Sequence, residues 1–179
     1  MNVRGLNPPP LPVNAAPLAR RPGRAHTGPM QDSPLAFRDA NRTDLPAIVT
    51  LLAEDDFWAG REITDPARFE AAFDAIAGSD THLIVGERGD TVVATYQLIL
   101  IRGLSSRAAL RAQVEAVRVA SALRGQGLGA HLMEDAEARA RAAGATLMQL
   151  TSDARRTDAH RFYERLGYAR SHAGFKKPL

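Results

Sequence analysis

The sequence predicts an α/β (α+β) domain whose central sheet is mixed but mostly antiparallel and is flanked by helices. Three observations carry that reading. The β-rich runs His82 to Glu87, Thr91 to Ile101 and Ala109 to Val119 follow one another, and Arg88-Gly89-Asp90 joins the first two as a tight hairpin, so they form an antiparallel meander. Apolar residues spaced three and four apart mark separate helices that stop at glycines. One strand, Thr146 to Thr151, follows a helix and so should run parallel to the strand ending at Val119.

The elements follow in order. Leu35 to Arg38 alternates and reads as the first strand. Thr43 is expected to cap a helix with Asp44 and Pro46 in its first turn and Leu45, Ile48, Val49 and Leu52 buried. Asp65-Pro66 starts a second helix with Phe69, Phe73 and Ile76 inward and Gly78 as its stop. After the meander, a helix from about Leu128 to Ala143 carries Leu128, Leu132, Ala136, Ala140 and Ala143 on one side and ends at Gly144. Thr157 caps a short helix ending at Gly167, and Tyr168 to Lys176 closes the sheet.

Composition sets the bounds. Residues 1–33 are rich in proline and arginine, lack apolar periodicity and read as a disordered tail, with 34–179 as the single domain. Arg20-Arg21 has no apolar stretch after it, so it does not read as an export signal, and Met30 stands where an alternative start would fall. Removing Arg4, Arg20, Arg21 and Arg24 takes the formal charge of +3 to −1, so the domain has no basic excess that would favour nucleic acid. No stretch is long and apolar enough to cross a bilayer, and a cytoplasmic location is the default expectation. With no cysteine, there is neither a disulfide nor a thiol nucleophile. His26, His82, His131, His160 and His172 show no ligand spacing, so no metal is expected.

The run from Val117 to Gly129 delivers an apolar strand into a glycine-rich turn that opens a helix. Three glycines in five positions, Gly125, Gly127 and Gly129, remove the Cβ atoms that would hold a ligand away. The N–H groups of the first helical turn and the helix dipole favour an anion there. The nucleotide-triphosphate loop is excluded, because the Lys and Ser/Thr it needs are missing. The dinucleotide pattern is formally met by Gly125, Gly127 and Ala130 with Asp153 beyond. Against it, Ala120 to Arg124 separate strand from glycine, and the motif lies too late in the chain for a first βαβ unit.

Arg124, Gly127 and Gly129 also meet the pattern Arg/Gln-x-x-Gly-x-Gly/Ala, and a second segment runs from Asp158 to Tyr168, including Tyr163-Glu164-Arg165-Leu166-Gly167-Tyr168. With these two motifs in this order the chain resembles the GNAT family of N-acetyltransferases, in the manner of a stand-alone bacterial member. The resemblance implies the GNAT acyl-CoA N-acyltransferase fold in the order βααβββαβαβ. It implies transfer of an acetyl group from acetyl-CoA, as co-substrate, to a primary amine by direct attack, without a covalent enzyme intermediate. The strand before the loop would bulge, so that backbone groups of Val117 and Val119, with Arg118 between them, run beside the pantetheine arm. The N–H groups of Gly125, Gln126, Gly127, Leu128, Gly129 and Ala130 would hold the pyrophosphate, with added charge from Arg124. Homodimers are common in the family. An asparagine that the family often carries seven residues before the tyrosine is Arg156 here, which leaves Ser152 or Asp158 for that contact.

An alkylamine with a pKa of roughly 10.4 is protonated at neutral pH and needs a base before it can attack. Glu115 is the candidate, expected by strand alternation on the face of Val117 and Val119 and acting through a water. The histone-type catalytic glutamate would align with Gln113, an amide that cannot take that proton. Glu115 reads equally as a solvated carboxylate on a half-exposed strand. By the family motif Tyr163 would protonate the departing thiolate, while Phe162, Tyr163 and Leu166 also read as the packed face of an amphipathic helix. Asp55, Asp56 and Trp58 are candidates for binding a cationic amine, or else form a solvated helix end over a core tryptophan. The acceptor is thus a small-molecule or peptide amine. The alternatives are an acyl-CoA-binding sensor without turnover and, behind it, a dinucleotide-dependent oxidoreductase.

Overall fold

The computed structural model describes residues 33–54 and 65–179. The tail, apart from its last residue, and the loop bearing Asp55, Asp56 and Trp58 lie outside the described residues. The elements are β1 (Leu35–Asp39), a 3-10 turn (Arg42–Asp44), α1 (Leu45–Ala53), α2 (Pro66–Ile76), β2 (Thr81–Arg88), β3 (Thr91–Ile101), α3 (Ser105–Ala108), β4 (Arg111–Val119), a second 3-10 turn (Ser121–Leu123), α4 (Leu128–Ala142), β5 (Leu147–Leu150) and α5 (Thr157–Arg165).

The strands lie in chain order across one sheet, β1-β2-β3-β4-β5. The first three pairings are antiparallel and β4 runs parallel to β5, as a strand reached through a helix should. The hairpin between β2 and β3 closes with Arg88 opposite Thr91, and Gly89 takes the positive φ of +58° that the two-residue turn demands. Gly86 has a different reason to be glycine: a Cβ there would sit 2.9 Å from the ring of Phe37 on the neighbouring strand.

Sheet alternation sorts the core. Ala94, Tyr96, Leu98 and Leu100 of β3, with Ala112 and Val114 of β4, pack against Leu132, Met133, Ala136 and Ala140 of α4. Each large apolar side chain buried there contributes about 1.5–3 kcal/mol. Ile84 and Val85 are neighbours that point to opposite faces, and both are fully buried, so the second face is covered as well. There α1 lies against β3 and β4, and α2 against β2. Tyr96 reaches through the core to donate its hydroxyl to Asp135 on α4, whose carboxylate also accepts from Arg139 at 2.8 Å.

Four sequence expectations are corrected. The first helical segment is capped by Asn41, not Thr43. Thr43 N–H donates to the Asn41 side chain at 2.9 Å while Asn41 N–H donates to Asp44 at 2.8 Å, a reciprocal box that satisfies two orphan donors at once. In α1 the buried residues are Ile48 and Leu51, with Leu45, Val49 and Leu52 only half-buried; the helix starts at Leu45, one residue later than a Thr43 cap implies, after the 3-10 turn. Thr157 is the first residue of α5 rather than its cap; Arg156 holds the cap position without a side-chain bond. No strand forms over 168–179: between Tyr168 and Phe175 the chain offers only Ala, Arg, Ser, His and Gly, none of which favours a pleat, and Phe175 is 94% exposed. The order therefore ends at α5, and β5 is the outer strand.

All three tyrosines of the chain are held above the ordinary phenol value of 10, with burial the largest cause in each case. Their raised folded values mean that the associated stability is complete below about pH 10 and falls as the pH climbs beyond it. Urea midpoints measured between about pH 8 and 11 should drop in step with the appearance of tyrosinate absorbance. Tyrosinate that titrates near pH 10 with no loss of stability would contradict this.

Candidate active site

The site begins with a fault in the β3–β4 ladder. Thr95 pairs with Arg118 and Gln97 with Glu115, so Ala116 and Val117 together oppose Tyr96. This is a β-bulge, and Ala116 takes a φ of +51° to make it. A bulge moves every later side chain to the other face. Val117 and Val119 accordingly pack toward the α4 core with Ala112 and Val114, whereas Glu115 points with Gln113 to the opposite face. The expectation that Glu115 shares a face with Val117 and Val119 is thus corrected: simple alternation does not survive the inserted residue.

The parallel pairing with β5 ends at Val114–Leu150, so among the described residues β4 has no strand neighbour on that side from Glu115 onward. Across the other edge Ala120 N–H donates to Val93 at 2.9 Å, and alternation turns the polar groups of Val119 toward the gap. Two guanidinium groups cover it. Arg118 donates to the Val117 carbonyl at 2.8 Å, and Arg124 donates to the Val119 carbonyl at 3.2 Å. Arg124 also reaches the Glu54 carbonyl at 3.4 Å and lies 3.8 Å from the Glu54 carboxylate, which accepts Ser121 N–H at 2.6 Å. Glu54 is a residue that sequence reasoning missed. Nothing in the local pattern marks it, because its partners are far along the chain.

Beyond the gap the chain turns through Gly125 and Gly127 with φ of +79° and +83°, and Gly127 forms the N-cap of α4. A Cβ at either position would meet nothing within 4 Å, so these glycines are required by backbone shape and leave open space above the turn. Gln126 folds its amide back to the Ala122 carbonyl at 3.4 Å. The expected donor set is shortened by one: Ala130 N–H donates to the Gly127 carbonyl at 2.9 Å, so among the described residues the outward N–H groups run from Gly125 to Gly129. An open strand edge leading to outward amides at a helix N-terminus fits an extended amide chain ending in a diphosphate, the chemistry of coenzyme A.

Gly129 ties the loop to the second motif, since a Cβ there would come within 3.2 Å of Phe162 on α5. Next to it, Tyr163 meets Phe162 and Tyr168 edge-on, with ring centroids 5.1 Å and 6.0 Å apart. Burial raises the Tyr163 phenol above its ordinary range, opposed by the positive charges of Arg156 and Arg118, and the ring packs against the same core as Val117 and Val119. Glu115 is exposed and accepts a hydrogen bond from Gln113. Loop, bulge and Tyr163 therefore converge, Glu115 lies across the sheet from them, and Asp55, Asp56 and Trp58 fall outside the described residues.

Residues 45–168 match the model of the Acetyltransferase (GNAT) family. The chain belongs to this family. That membership sets aside the dinucleotide reading. An aminoalkylphosphonate N-acetyltransferase from Salmonella typhimurium is 45% identical over 67 residues, 37% of this chain and 44% of the relative, so the match spans less than half of that curated protein. A protein from Bacillus halodurans C-125, described as a transcriptional regulator, has a crystal structure with a TM-score of 0.77 and 38% identity, covering 81% of this chain and 99% of its own. A Clostridium acetobutylicum structure, described as a predicted acetyltransferase with acetyl-CoA, has a TM-score of 0.65 at 13% identity over 81% of this chain and 96% of its own, and so shares the fold.

Gly127→Ala in this GNAT protein should strain the turn by about 1–2 kcal/mol, since an L side chain resists that φ. The expected result is an acetyl-CoA dissociation constant raised at least about fivefold by calorimetry, with a modest fall in melting temperature. Unchanged affinity would show that the turn does not shape the donor set.

Proposed function

We propose that the protein transfers the acetyl group of acetyl-CoA to the primary amine of a small molecule by direct attack. The observation that supports this most is the β4 edge left open by β5, running from the bulge at Ala116 into the glycine turn. Backbone groups of Val117 and Val119 would hold the pantetheine arm, Arg118 and Arg124 yielding their contacts to it, and the N–H groups from Gly125 to Gly129 would hold the pyrophosphate. Acetyl-CoA supplies an acetyl group already activated as a thioester.

Glu115 stands on the other face where β4 and β5 part, and it would take a proton through a water from an ammonium entering on that face, which frees the nitrogen lone pair. As the new C–N bond forms and the C–S bond breaks, Tyr163 gives its phenolic proton to the departing sulfur, and the second proton that the nitrogen sheds on becoming an amide returns through water to the phenolate. A phenol held above its ordinary range remains a loaded donor through neutral and mildly alkaline pH. The Salmonella relative's name makes aminoalkylphosphonates the first acceptors to test, and an acceptor of that kind would make this a small-molecule enzyme.

A second reading, an acyl-CoA-binding sensor without turnover, is favoured by the description of the Bacillus halodurans relative as a transcriptional regulator. A thiol-release assay separates the two, using acetyl-CoA with aminoalkylphosphonates, amino sugars, amino acids and lysine peptides. Turnover of one amine above the hydrolytic background is expected, and acetyl-CoA binding with no release for any amine would favour the sensor. Glu115→Gln and Tyr163→Phe should each lower kcat by about 10²-fold or more, the usual worth of a positioned acid or base. A loss under about tenfold in either variant would return that residue to a structural role.

A further inference from the structure

A row of polar side chains crosses the face of the sheet on which Glu115 lies. Gln113 of β4 is paired in register with Gln149 of β5, and Arg111 and Glu115 stand two residues to either side of Gln113, so all four share that face. Arg111 donates to Gln149 Oε1 at 3.2 Å, and Gln149 Nε2 donates to Gln113 Oε1 at 2.7 Å. Gln113 Nε2 in turn donates to Glu115 Oε1.

The two ends fix the direction of this chain. A guanidinium can only donate and a carboxylate can only accept, so each amide between them must turn its oxygen toward Arg111 and its nitrogen toward Glu115. Flipping either amide would set donor against donor at one side and acceptor against acceptor at the other. The bridge is made at the last rungs before β4 and β5 part, since their pairing ends one residue later at Val114–Leu150.

We infer that Gln113 and Gln149 are positioning residues for acetyl transfer. With Arg111 they form a one-way hydrogen-bonded chain that holds the Glu115 carboxylate in one rotamer and leaves its other oxygen to meet the water that relays the proton. The inference rests on Glu115 being the base. An exposed glutamate left to itself spreads over many rotamers, and fixing one of them for the reaction costs side-chain entropy. A carboxylate anchored beforehand avoids that cost during turnover.

The decisive substitution is Gln149→Glu. It keeps the shape and the Arg111 partner but can only accept, so Gln113 must turn over and present its oxygen to Glu115. Using acetyl-CoA and the panel amine of highest kcat/KM, Gln149→Glu should lower kcat about tenfold and Gln149→Leu about threefold, with the KM for acetyl-CoA changed less than about twofold. In a Glu115→Gln background the same changes should have less than about a twofold effect, because there is no base left to position. Equal losses in both backgrounds would mark Gln149 as structural and overturn the inference. So would wild-type kcat in Gln149→Glu while Glu115→Gln is strongly impaired, a result that leaves Glu115 as the base. Full activity in Glu115→Gln would instead remove the base reading and the chain's purpose with it. Side-chain amide NMR of the free protein gives a check without turnover: the Gln113 and Gln149 signals should stand apart from those of solvated glutamines, and both should move in Glu115→Gln. Signals at the solvated position would show that the chain does not form.

Discussion

The geometry of the whole site depends on the bulge at Ala116. A continuous β4 would keep its ladder with β3, and every odd-numbered side chain from Arg111 to Val119 would share one face. One extra residue opposite Tyr96 breaks that rule. Val117 and Val119 then turn into the α4 core while Gln113 and Glu115 stay on the other face, and the strand gains the local bend that a bulge brings. The positive φ at Ala116 costs on the order of 1 kcal/mol, which the surrounding packing must offset. Tyr96 supplies part of that packing: it is fully buried behind the bulge and anchored through Asp135 and Arg139 to α4.

The second constraint is the contact between the two motifs. Gly125 and Gly127 are glycines for the sake of backbone shape, but Gly129 is a glycine because Phe162 occupies the space its Cβ would need. Helix α5 therefore approaches the first turn of α4 as closely as van der Waals contact allows, and Tyr163 is carried with it onto the core that Val117 and Val119 also pack against. A larger residue at Gly129 would push on Phe162 and disturb the donor turn and the tyrosine together. Two segments thirty residues apart in the chain are thus one mechanical unit.

Much of this was written locally in the chain. The β2–β3 hairpin, the stops at Gly78 and Gly144 and the apolar face of α4 follow from periodicity and from glycines with positive φ, each a matter of neighbouring residues. What could not be read depends on partners far away in sequence. Nothing within Glu115-Ala116-Val117 announces a bulge, because alanine has no preference for φ above zero, and so ordinary alternation puts Glu115 on the wrong face. Asn41 outcompetes Thr43 as a cap only because Asp44 completes the reciprocal box. The strand expected over Tyr168 to Lys176 fails because Ala169 to Gly174 offers no β-branched or aromatic residue to pack on a pleat. Gln149 did carry a signal, a lone amide in the run Leu-Met-Gln-Leu, but its meaning required knowing that Gln113 lies opposite.

An open strand edge inside a folded domain is a liability, since unpaired carbonyls there would cost free energy or recruit another chain. Here the edge is kept open by its own side chains. Arg118 folds back on the Val117 carbonyl and Arg124 on the Val119 carbonyl, and both are long, flexible donors attached within a few residues of the groups they cover. Covering of this kind is reversible in a way that a sixth strand or a buried apolar residue would not be. A guanidinium that gives up a carbonyl to an incoming amide exchanges one hydrogen bond for another and keeps its solvation, so the edge can be satisfied both with and without a ligand. Glu54 adds a tether, for its carboxylate holds Ser121 N–H and lies beside Arg124, which ties the end of α1 to the start of the glycine turn. The bulge makes the gap, the arginines keep it wettable, and α4 and α5 hold its far end at fixed separation.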